Sequence, residues 1–545
     1  MQHLRRSPPT VNIDGQGTAT EERLERDDFE SRFPELTLPC TAESTGGNDY
    51  SSAATCCHVL ERLSVWNCVL WHVGLQLREL MAPGELSLVH VSPTGCGFQQ
   101  QLHGRDARLF FYALLTRHRC VVSVDLDEAL VEGSGLGECR KHVVSALRQN
   151  TSLQALRLGS LFCNYRFIQE DMLAAITTLP HLQKLVVSVI GAVPPCLVDA
   201  LRYLLETTSL STLSISGLIF DEDIARRLLA ALRRNHTVAD LSVHSSITRS
   251  QLPNEVTEFS HYLATSIPLS TLTIEGVHSN PETTRSELRN IVTPLVARGT
   301  LLKLRLSGFL LDDDCVYLLS QLVARKGGAL QHLDICGCRW RPDASTLCQY
   351  AGIDCNQLSP ASSKQAYASL HAFDDVAQVQ LSFLSLSLAG LTPDDCRALF
   401  GATAVIESLK TISISDVALA ELPEICRAIR DTGMIGRVRI KDEYLVDSAA
   451  ICVLWNFREE VCHVAVSSLN ESSAARFHET VRLVCSWYHV TTLRLFLSQE
   501  AIGDISTMWL LYKYLNGYST LRELELDRLR QTRPERLPSC RRPGP

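Results

Sequence analysis

Aliphatic residues fall along this chain in a short phrase, Leu-x-x-Leu-x-Leu, that returns about every 29 residues. It reads Leu153, Leu156, Leu158, then Leu182, Leu185, Val187, then Leu210, Leu213, Ile215, and runs on to Leu330, Leu333, Ile335. Weaker copies precede it at Leu86, Val89, Val91 and at Val121, Val124, Leu126. After a longer interval it resumes as Phe383, Leu386, Leu388, then Leu409, Ile412, Ile414 and Ile435, Val438, Ile440, ending at Leu521, Leu524, Leu526. About 15 strands are predicted in all. A fixed period of this size belongs to a solenoid, in which each unit buries its apolar side only against its neighbours.

The intervals leave room for a helix between strands. Residues 221–235 place Ile224, Leu228, Leu229 and Leu232 at helical spacing behind Asp221, an N-cap residue type. Arg233 and Arg234 fall in the last turn, where positive charge suits the helix dipole, and Asn235 is expected to supply a left-handed residue after it. Residues 142–150 repeat that ending, and 312–322 repeat the beginning. Ahead of the repeats, Val59, Leu63, Trp66, Leu70, Val73 and Leu77 form one stripe, which predicts a helix from Cys56 to Leu80.

The junction Ala146-Leu-Arg-Gln-Asn-Thr-Ser-Leu153-Gln-Ala-Leu156-Arg-Leu158, repeated at residues 231–243, resembles that of ribonuclease-inhibitor-type leucine-rich repeats. The resemblance covers roughly residues 86–530 and extends to the repeat region of NLR-type receptors. It implies an α/β solenoid, a right-handed horseshoe with parallel strands on the concave face and helices on the convex face. The chain departs from the family at the bend three residues after the last Leu, where Asn or Cys is usual. Cys338 fits; Leu161, Ile190, Leu218, Val277, Phe309, Leu391 and Val417 do not. An apolar ladder there leaves backbone donors to be satisfied otherwise.

The expected organisation is a disordered segment over 1–50, a helical cap over 51–84 and repeats over 85–338. A degenerate repeat or inserted loop follows over 339–382, then repeats over 383–527 and a disordered basic tail over 528–545. The last strand is followed by no capping helix, which suggests a truncated gene end or one covered by a partner.

Aromatic residues make up only 6% of the chain against 45% hydrophobic, so leucine carries the core. A net charge of −8 gives no reason to expect a nucleic-acid or membrane partner, and no stretch approaches the roughly 20 apolar residues a bilayer span needs. The amino terminus lacks the apolar region of a secretory signal. The 20 cysteines are scattered, many inside apolar runs, and read as reduced core residues of a cytoplasmic or nuclear protein.

Candidate chemistry is sparse. No G-x-x-x-x-G-K-[ST] occurs, and the cluster Gly133-Ser-Gly135-Leu-Gly137 reads as a turn. No G-x-S-x-G or H-E-x-x-H occurs, so no catalytic residue and no cofactor is expected. Cys336, Cys338, Cys348 and Cys355 contain one close pair where zinc sites usually show two, and Cys56-Cys57-His58 is weaker still; both read as structural. The intervening positions of the phrase, which line the inner face, carry Arg157, Lys184, Lys303, Arg305, Lys410, Arg437, Arg439, Arg494 and Arg522 against Asp125, Asp240, Asp334, Glu523 and Glu525. Nine cations against five carboxylates, in an acidic chain, describe a mildly basic trough suited to a protein partner with an acidic segment. Aromatics that could stack bases are not expected there, so nucleic acid is disfavoured. The function expected is a non-enzymatic protein-binding scaffold or sensor, with a ubiquitin-ligase substrate receptor or a Ran-type GTPase activator as alternatives.

Overall fold

The computed structural model describes Cys40 and most of residues 57–528; residues 1–39, 41–56, 71–74, 91–99, 127–135, 160–165, 249–256, 277–280, 341–379, 447–453, 468–473, 498–504, 518–522 and 529–545, with a few stretches of one to three residues, lie outside the description. The chain divides into two compact units, one formed mainly by residues up to 189 and the other mainly by residues from 190.

In the first unit, α1 (His58–Glu61) and α2 (Leu63–Leu70) lead into β1 (Leu75–Glu79) and β2 (Leu86–His90). They are followed by α3 (Gln100–Arg117), β3 (Val121–Leu126), α4 (Leu136–Gln149), β4 (Ala155–Leu158), α5 (Arg166–Ile176) and β5 (Lys184–Val187). Strands β2 to β5 are parallel, whereas β1 runs antiparallel to β2, Leu77 facing Leu88. The helix expected through Leu80 therefore stops at Leu70, and the segment Leu75-Gln-Leu-Arg-Glu79, with Leu75 and Leu77 buried, alternates as a strand. A strand serves the cap better than another helical turn because it covers the edge of β2. The outer edge of β1 is closed in turn by the Asn67 side chain, whose amide donates to Leu77 O (3.0 Å) and whose oxygen accepts from Leu77 N (2.7 Å).

The second unit begins with β6 (Gly191–Ala192), α6 (Pro195–Thr207), β7 (Thr212–Ile215), β8 (Leu218–Ile219) and α7 (Glu222–Arg234). It continues through β9 (Asp240–His244), α8 (Glu258–Thr265), β10 (Thr271–Glu275), α9 (Pro281–Arg298), β11 (Lys303–Ser307), β12 (Leu310–Leu311), α10 (Asp313–Ala324), β13 (His332–Ile335) and β14 (Arg339–Trp340). Then come β15 (Phe383–Ser387), α11 (Pro393–Ala404), β16 (Thr411–Ser415), α12 (Leu422–Asp431), β17 (Val438–Val446) and β18 (Val461–Ser467). The last elements are α13 (Ala474–Val484), β19 (Thr492–Leu497), α14 (Ile505–Gly517) and β20 (Glu523–Arg528). The long strands pair in parallel from β7 to β20, so each phrase supplies one rung; in most of the described connections a helix returns the chain, and between β17 and β18 the described residues hold a short 3-10 turn, Trp455–Phe457.

Leu213, Leu241, Leu272, Leu304, Leu333, Leu384, Ile412 and Val438 form one buried row across this sheet. Each contributes about 1.5–3 kcal/mol by leaving water. The helices are joined to one another at their surfaces, α6 to α7 by Arg227–Asp199 and Arg234–Glu206 (3.1 Å) and α7 to α8 by Arg233–Glu258. Asp221 caps α7 as expected, accepting from Ile224 N at 2.8 Å.

Two registers differ from the expectation. Leu88, not Val89, stands opposite Val124, and Leu381, Leu384 and Leu386 are the buried phrase of the repeat read as Phe383, Leu386, Leu388. The first is a slip of one residue, at an irregularity between Leu86 and Ser87, and exchanges the two sides of the strand; the second, of two, keeps sidedness within the strand but moves the first apolar anchor, which lies before the strand and on the opposite parity. Ile435 is likewise 52% exposed, and Met434 is buried instead.

At the bends, Ile190 is 91% exposed rather than packed, while Leu218, Phe309 and Val417 are buried; Leu161, Val277 and Leu391 lie outside the described residues. At several of the described bends the backbone donors find partners. Short ladders pair β6 with β8 and β12 with β14, and the Asp442 carboxylate accepts from Asp416 N and Val417 N, both at 2.8 Å. Strand β13 pairs directly with β15; most of the segment expected to be a degenerate repeat or loop, like the two terminal segments, lies outside the described residues.

Asn235 is not left-handed, with φ −82° and ψ 135°. Its side chain does more than a turn residue would. Nδ2 donates to Leu205 O (2.8 Å) in the last turn of α6, and Oδ1 accepts from Thr237 N (2.9 Å) and Val238 N (2.8 Å) at the next strand. Asn150 makes the equivalent bonds to Leu115 O, Ser152 N and Leu153 N. The asparagine thus satisfies one helix end and one strand start together.

Candidate functional site

The alternation of the strands sends every second side chain away from the leucine row. In the second unit the outward positions form rows across neighbouring strands. One contains Asp240, Thr271, Lys303, His332, Phe383 and Thr411; the next contains Ser242, Thr273, Arg305, Asp334, Ser385, Ser413 and Arg439. From β7 to β10 these residues are small and polar. From β11 to β17 the character changes.

There, Lys303, Arg305, Arg439 and Lys441 are exposed, and the His332 and Phe383 rings stack between them with centroids 4.0 Å apart and planes at 5°. Lys441 reaches back across β16, donating to Ser385 Oγ (3.0 Å) with its ammonium 5.7 Å from the centre of the Phe383 ring. Arg305 Nε lies 3.6 Å from Asp334 Oδ2, and Asp334 Oδ1 accepts from Cys336 N at 3.0 Å. That carboxylate is buried and partly balances Arg305, which leaves Lys303, Arg439 and Lys441 as the other cations of this face. The His332 pKa is lowered, first by burial; the Asp334 carboxylate opposes that shift, and Lys303, Lys441 and Arg305 add to it.

The expected site residues fare unequally. Lys303, Arg305 and Arg439 belong to this patch, and Lys410 is exposed just before β16. Arg437 has another use: its guanidinium donates to Leu409 O (2.9 Å), Ile406 O (2.8 Å) and Ala404 O (3.2 Å), closing the end of α11. Arg298 does the same for Leu263 O, Ile267 O and Leu269 O after α8. Arg494, on β19, lies over Phe496, its guanidinium 5.0 Å from the ring centre. Arg157 and Lys184 belong to the first unit, where Arg157 meets Asp125 (3.6 Å) and Ser188 (3.2 Å). Arg522 lies outside the described residues.

Lys441, His332 and Phe383 were missed as site residues. Lys441 follows the last apolar residue of its phrase, one step past the positions read as inner-face, and β17 is long enough to keep it on the strand. Phe383 was read as core through the register slip. Its true position puts an aromatic ring on the outward face, where none was expected.

Among the cysteines, Cys338 is buried and directs its sulfur to Leu306 O (3.4 Å), while Cys336 contacts Ser415 Oγ (3.1 Å). The two sulfurs serve different neighbours; Cys348, Cys355 and Cys56 lie outside the described residues. Gly133 and Gly135 also lie outside, and α4 starts at Leu136. Among the described residues no helix is long and apolar enough to cross a membrane.

No protein-family model matches the chain, and no curated protein matches it. Among solved structures it is similar to one described as the complex of Rad7 and Elc1 in yeast, at 12% identity, covering 55% of this chain and 79% of that one, with a TM-score of 0.24.

Proposed function

We propose that this chain is a non-catalytic binding scaffold, a leucine-rich-repeat solenoid of the ribonuclease-inhibitor type related to the sensor half of NLR-like proteins. We infer that it takes an acidic protein segment on the face formed by β11 to β17. The observation that carries the reading is the gathering of Lys303, Arg305 and Lys441 around the His332–Phe383 stack, with Arg439 on the same face two strands from Phe383, in a chain whose net charge is −8. Carboxylates of an extended segment would meet the four cations, and an apolar residue between them would cover the Phe383 ring. Of the eleven cysteines among the described residues six are buried, which suits reduced thiols and a reducing compartment, cytoplasmic or nuclear.

A labelled synthetic peptide alternating Glu and Leu, and a counterpart with Lys in place of Glu, provide the test by fluorescence anisotropy. The acidic peptide should bind and the basic one should not, with affinity falling as salt rises. Reversing two charges together, Arg305→Glu with Lys441→Glu, should weaken binding by at least roughly tenfold, or about 1.4 kcal/mol. Equal binding of both peptides, or indifference to the charge reversal, would refute the reading.

A further inference from the structure

One group of side chains in the first unit lies outside the binding face. Cys40, Cys57, His118 and Cys120 converge so that their ligand atoms all lie within 4.8 Å of one another. Cys57, His118 and Cys120 are at most 3% exposed, and Cys40 is half-buried. Cys57 Sγ sits 3.4 Å from His118 Nδ1, while His118 Nε2 is enclosed without a hydrogen-bond partner among the described residues. An enclosed imidazole nitrogen without a partner costs about 1–3 kcal/mol, and thiols are weak substitutes for a carboxylate or carbonyl.

The repeat pattern makes these residues more unusual. Asn150 and Asn235 each stand one residue after a helix and three before the first apolar residue of the next phrase, Leu153 and Val238. His118 occupies that place after α3, three residues before Val121. Cys120 occupies the place of Ser152 and Thr237. Where the asparagine junction binds a carbonyl of the preceding repeat, His118 has no such repeat before it. It meets Cys57, which stands at the N-cap of α1, and Cys40 from further upstream.

We propose that Cys40, Cys57, His118 and Cys120 form a structural zinc site that fastens the amino-terminal cap to the first parallel rung. Three thiolates and one imidazole are a zinc donor set, and four protein ligands complete a tetrahedron with no position left for substrate. Ligand separations up to 4.8 Å need close by only about 1 Å to reach those of a tetrahedron with metal bonds of about 2.0–2.3 Å.

The cap has reason to need a staple. Its helices have 4 and 8 residues, too short to be stable alone, and β1 is one five-residue strand. Fixing Cys40 and Cys57 to the turn at 118–120 joins segments far apart in sequence, where a cross-link removes the most chain entropy.

The full chain, purified reduced, should contain one zinc per molecule by plasma mass spectrometry. Cobalt exchanged for it should give the visible absorption of a tetrahedral thiolate complex, bleached by added zinc. The double substitution His118→Asn with Cys120→Ser recreates the Asn-x-Ser sequence of residues 150–152 and should fold while losing the metal. Cys57→Ser alone should weaken zinc binding, read against a competing chelator, by more than the roughly 10–100-fold that loss of an outer-shell group costs. Cys485→Ser should leave the stoichiometry at one. Reduced wild-type protein that holds no zinc and gives no cobalt–thiolate band would overturn the proposal. So would a double variant that still binds one equivalent, or a Cys57 disulfide in the protein handled without reductant. None of these outcomes depends on the acidic-peptide reading.

Discussion

Arg437 and Arg439 sit two residues apart, and the structure assigns them opposite duties. The Arg437 guanidinium spans three backbone carbonyls, those of Ala404, Ile406 and Leu409, the first being the last residue of α11. Hydrogen bonds to a charged donor contribute about 1.5–3 kcal/mol each when buried. This side chain is only half-buried, so water would recover part of the loss. Arg437→Ala should therefore destabilise the second unit by about 2–3 kcal/mol in all. Arg437→Lys should recover little, because an ammonium cannot span three acceptors. Arg439 projects outward from β17, and Arg439→Ala should leave stability unchanged within about 0.5 kcal/mol. Its effect should appear in binding, as a loss of about 0.2–1 kcal/mol, or roughly 1.5- to 5-fold, with a reduced salt dependence. Urea unfolding and peptide anisotropy on the same two proteins separate the outcomes. If Arg437→Ala unfolds like the wild type yet loses the peptide, the guanidinium belongs to the binding face and the division drawn here is wrong.

Two further perturbations probe the same frame. Gly308→Ala should cost about 2–4 kcal/mol, since a Cβ would lie 2.0 Å from Gly276 O and φ is +73°; Gly327→Ala, with φ +72° and nothing within 4 Å, should cost only about 1 kcal/mol. Comparable urea midpoints for the two variants would show that the close approach of the backbones at that bend carries no energy. His332 is held below its unfolded pKa of about 6.5 chiefly by burial, with Lys303, Lys441 and Arg305 acting in the same direction and Asp334 against it, so its contribution to stability is present above about 6.5 and is lost as pH falls through the folded value. His332→Phe, which keeps the stack on Phe383, should flatten that part of the pH–stability curve, and an unchanged curve would place the titration elsewhere.

The parts of this structure that were legible in the sequence are those that repeat. Asp221 and the stripe Ile224, Leu228, Leu229, Leu232 announce a capped helix because N-cap chemistry and the 3.6-residue period are local properties. Register was less legible. Residues 381–388 read Leu-Ser-Phe-Leu-Ser-Leu-Ser-Leu, and two placements of the phrase fit that string equally well. Only pairing with β13, which sets His332 against Phe383, decides between them. The decision moves an aromatic ring from the core to the binding face. Arg437 shows the same limit in another form. Its place before a strand marks it as a face residue, but α11 and the turn after it lack an asparagine, and carbonyls left without that partner draw the guanidinium inward.

That last relation also explains why the zinc ligands stay invisible to spacing. A metal site announces itself in sequence when a tight turn supplies two ligands at once, and here only His118 and Cys120 are close; Cys57 and Cys40 come from segments distant in the chain. The signal lies instead in the failure of a repeat to repeat. Asn150 and Asn235 bind carbonyls of preceding helices, whereas at the first junction a histidine and a cysteine stand where asparagine and serine are expected. A solenoid's internal repeats can use one another's backbones for this purpose, because each has a neighbour of the same shape. The first repeat has none, so the asparagine loses its acceptor, and the position is released from the pattern to take a residue that binds whatever covers the end. A substitution at a junction residue is therefore informative in proportion to how regular the junctions around it are.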